Sequence, residues 1–312
     1  AIVDKVATLY GTRFDVESEV TVTAGATQAI FTAIAAFVRP GDEVLVFEPV
    51  YDSYVPAIET VGGKAVFAQL KFPDYAPDWA QVKSLINERT RMIVVNSPHN
   101  PTGSLLTAAD LDQLADLVRG TDIVILSDEV YEHILFDGER HASLSGHREL
   151  AARSIVVSSF GKTYHITGWK IGYVVGPAAL MAEFRKVHQF NVFTVHAPSQ
   201  LAIAEYMQDA ARHLRLAAFY QEKRDFFRQL MAATPFDLLP CRGTYFQLAR
   251  YDRISDLPDR AFAEWMTREV GVAVIPVSVF NADSRDDKVV RFCFAKREET
   301  LQAAAERLCK AL

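Results

Sequence analysis

Short apolar runs alternate with amphipathic segments through the first two thirds of the chain. Apolar and β-branched runs predict strands at 19–23, 43–47, 61–70, 91–96, 122–126, 154–157 and 171–175. Apolar residues at helical spacing predict helices at 28–38, 78–88, 107–118, 178–192 and 199–230. Because strands and helices alternate, and several strands are apolar without interruption, we expect an α/β fold with a mostly parallel sheet and helices on both faces.

The alternation stops in the last third of the chain. There the pattern predicts strands at 244–248, 272–275 and 289–294 and helices at 259–270 and 298–312, an arrangement typical of a small α+β domain. We therefore predict a large domain at 1–218 and a smaller C-terminal domain at 219–312. The first ten residues predict a helix already under way, with no Met or capping residue before it, so we expect an upstream segment to be missing.

Composition excludes several classes of protein. The 312 residues are 50% hydrophobic, carry a net charge of −6 and contain no run rich in Lys and Arg, which argues against disorder and against a nucleic-acid surface. No apolar run approaches membrane-spanning length, and no signal peptide is visible. The three cysteines are far apart and form no C-x-x-C pair, so the sequence predicts a cytoplasmic protein with neither disulfides nor a metal site.

The segment at 158–172 joins two predicted strands and has the sequence S-S-F-G-K-T-Y-H-I-T-G-W-K-I-G. Lys162 adjoins Gly161, a residue without a side chain, so another molecule can approach the backbone closely there. Lys170 follows on the same connection, and two such cations repel each other unless an anion lies between them. A lone Gly-Lys pair is more often a solvated basic loop, but the serine pair and the G-W-K sequence favour a functional site.

Polar residues follow two other predicted strands. The strand at 122–126 runs into Asp128 and Glu129, and two acids at the end of an apolar strand are costly to bury without partners. The alternative for this pair is a solvent-exposed helix N-terminus. The strand at 91–96 runs into S-P-H-N-P-T-G, where two prolines and a glycine fix the loop around Asn100. An Asx-Pro turn without a ligand is the alternative there.

Three further positions have both a functional and a structural interpretation. Gly25, followed by small residues at a predicted helix start, leaves backbone N–H groups for an anion or forms an ordinary turn. Tyr51 leaves a strand end, where its ring either covers a bound heteroaromatic ring or packs against the protein. Arg291 interrupts an apolar strand and therefore either binds an anion or points to water from an edge strand.

The segment at 158–172 resembles the cofactor-lysine segment of the class I and II aminotransferases, which are fold type I enzymes that use pyridoxal 5′-phosphate (PLP). The sequence T-Y-H-I-T-G-W-K resembles in particular the methionine aminotransferases of the kynurenine and glutamine transaminase group. The similarity extends from Val20 to Leu308, with five motifs in the family's order. It implies the PLP-dependent transferase fold of type I, with a smaller α+β C-terminal domain.

The resemblance also implies a role for each candidate residue. The lysine that matches Lys162 binds PLP covalently and moves the substrate's α-proton, and the arginine that matches Arg291 binds the substrate carboxylate beside Asn100. The carboxylate that matches Asp128 pairs with the ring nitrogen, whereas Glu129 stays unassigned. The residues implied to contact PLP are Ala26, Thr27, Tyr51, Asn100 with Asn96 in support, Asp128, Tyr131, Ser159, Lys162 and Lys170.

The function implied by the resemblance is transfer of the amino group of methionine, or of another apolar or aromatic amino acid, to a 2-oxo acid. The expected partners are these small molecules and a second copy of the chain in a homodimer with shared active sites, without nucleic acid or membrane. One departure from the commonest class I pattern is lysine, in place of arginine, at Lys170. Two alternatives remain, a PLP-dependent carbon–sulfur β-lyase on the same fold and a PLP-sensing regulatory domain without catalysis.

Overall fold

The computed structural model describes residues 1–312 and contains a large and a small β-sheet. The large sheet consists of β1 Val20–Thr23, β2 Glu43–Glu48, β3 Lys64–Gln69, β4 Thr90–Asn96, β5 Val124–Asp128, β6 Ser154–Ser159 and β7 Gly172–Val175. Its spatial order is β1-β7-β6-β5-β4-β2-β3. The strands from β2 to β6 pair in parallel, and β7 is antiparallel to both of its neighbours. The predicted mostly parallel sheet is confirmed.

Both faces of the large sheet are buried under helices. Met92 and Val94 of β4 belong to one apolar core, while Ile93 and Val95 belong to the core on the opposite face, because successive strand residues point to opposite sides. The helices are α1 Ile2–Tyr10, α2 Ala26–Phe37, α3 Tyr54–Thr60, α4 Trp79–Leu85, α5 Ala108–Val118, α6 Arg148–Ala151, α7 Phe160–Thr163, α8 Ala178–Asn191, α9 Ala197–Tyr206, α10 Ala211–Leu214, α11 Leu216–Met231, α12 Asp259–Trp265 and α13 Glu298–Ala311. None of them combines the length and the apolarity needed to cross a bilayer.

The small sheet is antiparallel throughout and has the order β10-β11-β9-β8. Its strands are β8 Asp237–Leu238, β9 Phe246–Arg250, β10 Ile275–Pro276 and β11 Val289–Cys293. It packs with α11, α12 and α13 around a third apolar core, as the side chains of Phe227, Phe262 and Leu308 show. The predicted α+β region is therefore present. The predicted boundary after residue 218 falls in the first turn of α11 and stays a prediction.

Several predicted elements differ from the structure. The strand predicted at 272–275 is only the two-residue β10 Ile275–Pro276. The single helix predicted at 199–230 is divided into α9, α10 and α11. The break follows from Asp209, whose side chain accepts a hydrogen bond from the Ala211 amide at 3.0 Å and so competes with continued helix. The connection after β6 is not only a loop, because Lys162 lies on the one-turn helix α7, which a 3-10 turn at Thr167–Trp169 follows.

A buried ion pair joins the N-terminal helix to the end of the parallel sheet. Lys5 of α1 donates to the Glu132 carboxylate at 2.6 Å, and the two side chains are 4% and 2% exposed. The same carboxylate accepts hydrogen bonds from Ser158 of β6 and from the Tyr10 hydroxyl. Since Lys5 holds the negative charge, the pKa of Glu132 lies well below its usual range although burial opposes this. The cluster fixes α1 against the strand ends that lead into the site.

Candidate active site

A cavity of about 350 Å³ opens where the carboxyl ends of β4, β5 and β6 meet the start of α2 and the edge of the small sheet. This is the edge at which doubly wound sheets bind ligands. All ten side chains predicted for the site line it: Ala26, Thr27, Tyr51, Asn100, Asp128, Tyr131, Ser159, Lys162, Lys170 and Arg291. The structure thus brings the predicted residues together, and their roles toward a cofactor stay predictions.

One end of the cavity is electropositive. Gly25, at φ 82° and ψ 168°, occupies a backbone region that is essentially restricted to glycine, and no side chain caps the first turn of α2. The unpaired amides of that turn and the helix dipole therefore face the cavity. Lys170 approaches the same turn closely, since a Cβ atom added at Gly25 would lie 3.5 Å from its Nζ. Ser159 and Thr27 line this end as well, which makes it suited to a phosphate group.

A buried acid, Asp128, lines another part of the cavity. Asp128, the last residue of β5, is buried, and its carboxylate accepts a hydrogen bond from the Tyr54 hydroxyl at 2.6 Å. Burial raises the pKa of Asp128 to about 6, and the hydrogen bonds from Tyr54 and from the Val130 amide oppose part of this rise. No cation of the protein pairs with this carboxylate. A buried acid of this kind suits a ligand with a protonated ring nitrogen.

The amine of Lys162 contacts a residue next to the small sheet. Its Nζ donates a hydrogen bond to the Tyr245 hydroxyl at 2.9 Å and stands 5.6 Å from the centres of the Tyr131 and Tyr245 rings. The adjoining Gly161 leaves room for this turn, because a Cβ atom there would lie 3.0 Å from the Thr167 Cα atom. The Lys162 amine therefore lies in an aromatic corner, and its side chain is half-buried.

Arg291 reaches the cavity from the small sheet. Its Nη1 donates to the Asn100 Oδ1 at 2.7 Å, and its guanidinium lies 4.0 Å from the centre of the Phe246 ring and 5.3 Å from that of Phe280. The backbone amide of Asn100 donates to the Asn96 Oδ1 at 2.8 Å, and this hydrogen bond fixes the loop. Burial lowers the pKa of Arg291, and no carboxylate pairs with it. Its remaining donors are free to bind a carboxylate ligand.

Two residues at the site were missed from the sequence. Tyr54 is the first residue of α3, and its ring meets that of Tyr51 edge to face at 5.4 Å. Tyr245 directly precedes β9 of the small sheet, and no local pattern pointed to it. Glu129, which had no assigned role, is structural: its carboxylate pairs with His141 at 2.7 Å and accepts the Leu144 amide at 3.0 Å.

The residues present fit PLP. The uncapped start of α2 and Lys170 form a cationic end, and Asp128 is a buried acid that no cation of the protein pairs with. PLP presents a phosphate to the first and a protonated pyridine nitrogen to the second, so the charges of protein and cofactor are complementary. Lys162 lines the same cavity and supplies the amine that the PLP aldehyde requires.

Comparison with known proteins agrees with this geometry. The model of the family "Aminotransferase class I and II" matches residues 1–308. The methionine aminotransferase of Escherichia coli strain K12 is 49% identical over 309 residues, which are 99% of this chain and 80% of that protein. Kynurenine–oxoglutarate transaminase 1 of Rattus norvegicus is 35% identical over 336 residues, covering 97% of this chain and 79% of that protein.

Solved structures match with similar coverage. YbdL from Escherichia coli, a protein with a methionine aminotransferase function, superposes with a TM-score of 0.97 at 48% identity and covers 99% of this chain and 82% of its own. The aromatic aminotransferase of Pyrococcus horikoshii OT3 superposes with a TM-score of 0.92 at 31% identity and covers 100% and 84%. The predicted resemblance and the predicted fold are thus confirmed, and the chain belongs to the class I and II aminotransferases.

Proposed function

We propose that this aminotransferase moves the amino group of methionine, and of similar apolar or aromatic amino acids, to a 2-oxo acid with PLP as its cofactor. The observation that carries the proposal is the convergence of Lys162, Asp128 and Arg291, which come from two domains, on one cavity. The methionine aminotransferase at 49% identity and the kynurenine transaminases support the choice of donor.

The polar residues of the cavity are assigned to the cofactor as follows. The cationic end formed by Ala26, Thr27, Ser159 and Lys170 would hold the phosphate, and Asp128 would keep the ring nitrogen protonated. Bound in this way, PLP supplies an electron sink that stabilises negative charge at the substrate's α-carbon. The remaining contacts are assigned to Tyr51 on the ring face and to Asn100 and Tyr131 at the phenolic oxygen.

Two side chains act on the substrate itself. Arg291 binds the α-carboxylate through its planar guanidinium, a geometry that lysine cannot reproduce, while Asn100 holds the guanidinium in place. Lys162 takes the proton of the α-carbon as general base and returns it as general acid. Its Nζ is suited to both roles because it lies on the rigid one-turn helix α7 and within hydrogen-bonding distance of a hydroxyl.

The charges around Arg291 disfavour acidic donors. The only cations that line the cavity are Lys162, Lys170 and Arg291, and each of them already has a role. Asp52 lines the cavity on the side of Arg291 and is close enough for its charge to affect that guanidinium. A substrate with a second carboxylate would therefore find repulsion, whereas Phe280 and its aromatic neighbours offer contacts to an apolar side chain.

The test is a comparison of donors with purified protein and added PLP. Methionine, phenylalanine and kynurenine should each form a 2-oxo acid at least about tenfold faster than aspartate, since burying an unpaired carboxylate costs several kcal/mol. Lys162→Ala should abolish turnover, and borohydride should fix the cofactor on Lys162 in the wild type. Asp52→Asn should raise the rate with aspartate by roughly two- to fivefold without affecting methionine.

Two results would contradict the proposal. The first is aspartate as the best donor, and the second is full turnover by Lys162→Ala. Release of pyruvate and ammonia from cysteine conjugates, without any new amino acid, would identify the carbon–sulfur lyase instead. A protein that binds PLP but turns over none of these substrates would be the regulatory alternative.

We also propose that the chain acts as a homodimer. An apolar groove of about 340 Å³ runs between α1 and α9, and Leu201 beside it is 73% exposed. Phe190 and Phe193, at the end of α8, are 87% and 78% exposed. Exposed apolar surface of this kind favours an interface over a solvated face. Sedimentation equilibrium should give twice the monomer mass, and a monomer at micromolar concentration would contradict this.

A further inference from the structure

We infer that Tyr245 is a positioning residue for Lys162, and this inference rests on the function proposed above. The hydroxyl of Tyr245 is the only side-chain group that hydrogen-bonds the Lys162 Nζ, at 2.9 Å. The two residues are 83 positions apart and belong to different domains. A base that transfers protons must be held within a few tenths of an ångström, so the partner of its reacting nitrogen matters to the rate.

The chemistry of a phenol suits this task. A hydroxyl accepts a hydrogen bond from an ammonium group and donates one to a neutral amine. Tyr245 can therefore hold the Nζ of Lys162 in one place before and after a proton moves. A carboxylate could match only the ammonium state, because it cannot donate a hydrogen bond to a neutral amine.

The backbone around Tyr245 is held tightly. Thr244 has φ 66°, a costly conformation for a β-branched residue, and it is fully buried. Its amide donates to the Ile134 carbonyl at 3.0 Å, and the preceding Gly243 amide donates to the Gly103 carbonyl at 2.9 Å. A Cβ atom at Gly243 would stand only 2.8 Å from Pro98, in the loop that carries Asn100. Such strain is retained where surrounding contacts over-determine a position.

The ring of Tyr245 is fixed as well. It meets the Tyr131 ring at 5.3 Å and the Phe246 ring at 4.7 Å, both in the edge-to-face geometry that aromatic rings favour. On its other side lies Tyr220, with ring centres 5.7 Å apart. The Tyr220 hydroxyl contacts the His165 Nδ1 at 3.3 Å and makes no hydrogen bond to Lys162. Tyr220 is therefore a matched control, because it is a tyrosine of the same cluster without the contact to the lysine.

The experiment compares Tyr245→Phe with Tyr220→Phe in the PLP-loaded full chain. Methionine and α-deuterated methionine are the substrates, and the deuterium isotope effect on kcat is measured. Tyr245→Phe should lower kcat roughly 10- to 100-fold, with little change in KM, because it misplaces the base without touching the carboxylate site. The isotope effect should rise toward its intrinsic value, since proton transfer becomes rate-limiting. Tyr220→Phe should leave kcat and the isotope effect unchanged.

A second readout does not depend on turnover. After removal of the cofactor, the rate at which added PLP joins Lys162 is followed by its visible absorbance. The Lys162 amine that Tyr245 holds is also the group that attacks the aldehyde of PLP. Tyr245→Phe should therefore slow this step several-fold, and Tyr220→Phe should leave its rate unchanged. Thermal unfolding of both variants checks that each retains the fold.

The outcomes separate this inference from the proposed function. If the wild type transaminates and Tyr245→Phe changes neither the isotope effect nor the PLP reloading rate, the inference is overturned and the proposed function stands. Tyr245→Phe could instead lower both kcat and the melting temperature and leave the isotope effect unchanged. That result would show that Tyr245 is merely structural, and it would also overturn the inference. If the wild type does not transaminate, the proposed function fails, and the reloading assay still decides whether Tyr245 positions Lys162.

Discussion

Replacing Asp128 with asparagine should make the stability of the cofactor-free protein much less dependent on pH. The substitution keeps the shape of the side chain and one oxygen that can accept the hydrogen bond from Tyr54. It removes the negative charge from a site where burial raises the pKa of the carboxyl group to about 6. The variant therefore tests directly whether the ionised carboxylate of Asp128 lowers the free energy of unfolding of the cofactor-free protein.

The size and sign of the effect follow from the pKa. The ordinary value is 3.8, so folding raises the pKa of Asp128 by about 2 units, and each unit is worth about 1.4 kcal/mol. Because the folded protein binds the proton more tightly than the unfolded chain, this stabilisation is complete below about pH 4 and is lost as pH rises through about 6. The wild type should thus lose about 3 kcal/mol of unfolding free energy over that interval relative to Asp128→Asn.

The assay is urea unfolding of both cofactor-free proteins at several pH values between about 4 and 7. Comparing the two proteins at each pH cancels the titration of all other groups. Tyr54→Phe is the control, because losing its hydrogen bond should raise the pKa of Asp128 further and move the transition to higher pH.

Addition of PLP should favour the wild type over Asp128→Asn in thermal stability. A cation at the ring nitrogen would pair with the carboxylate, so PLP should raise the melting temperature of the wild type more than that of Asp128→Asn. If the unfolding free energies of the two cofactor-free proteins change in parallel across this pH range, the ionised carboxylate of Asp128 does not destabilise the fold. If PLP stabilises them equally, Asp128 does not contact the ring nitrogen.

Three further substitutions test other parts of the structure. Arg291→Lys should raise KM for methionine roughly 10- to 100-fold in steady-state assays with little change in kcat, because lysine cannot make the two-pronged carboxylate contact; an unchanged KM would remove Arg291 from the substrate site. Lys5→Met should cost about 3–5 kcal/mol in urea unfolding, since it leaves Glu132 buried and unpaired, and adding Glu132→Gln should restore part of the loss. Gly25→Ala should weaken PLP binding in equilibrium titration by roughly tenfold or more, because alanine strains the backbone at φ 82° beside Lys170, and an unaltered affinity would count against the anion site.

The sequence alone determined the large sheet and the position of several site residues within it. β-branched runs that end in polar residues predicted β5 and β6, and those polar ends placed Asp128 and Lys162 at the same edge of the sheet. This works because a strand pattern and the residues that follow it are local, and parallel strands align their carboxyl ends. The resemblance of the lysine segment to a known family added the cofactor and the reaction, both of which local patterns cannot supply.

The tertiary structure decided which distant residues meet. Arg291 and Asn100 are 191 positions apart, Lys162 and Tyr245 are 83 apart, and Lys5 and Glu132 are 127 apart. Helical and strand periodicity reports which face of an element is buried, but it carries no information about the partner on that face. The packing of the small sheet against the edge of the large one brings Arg291 and Tyr245 to the cavity. The partners of a buried charge are therefore settled only when both sheets are in place, because desolvation makes a charge costly until a distant group compensates it.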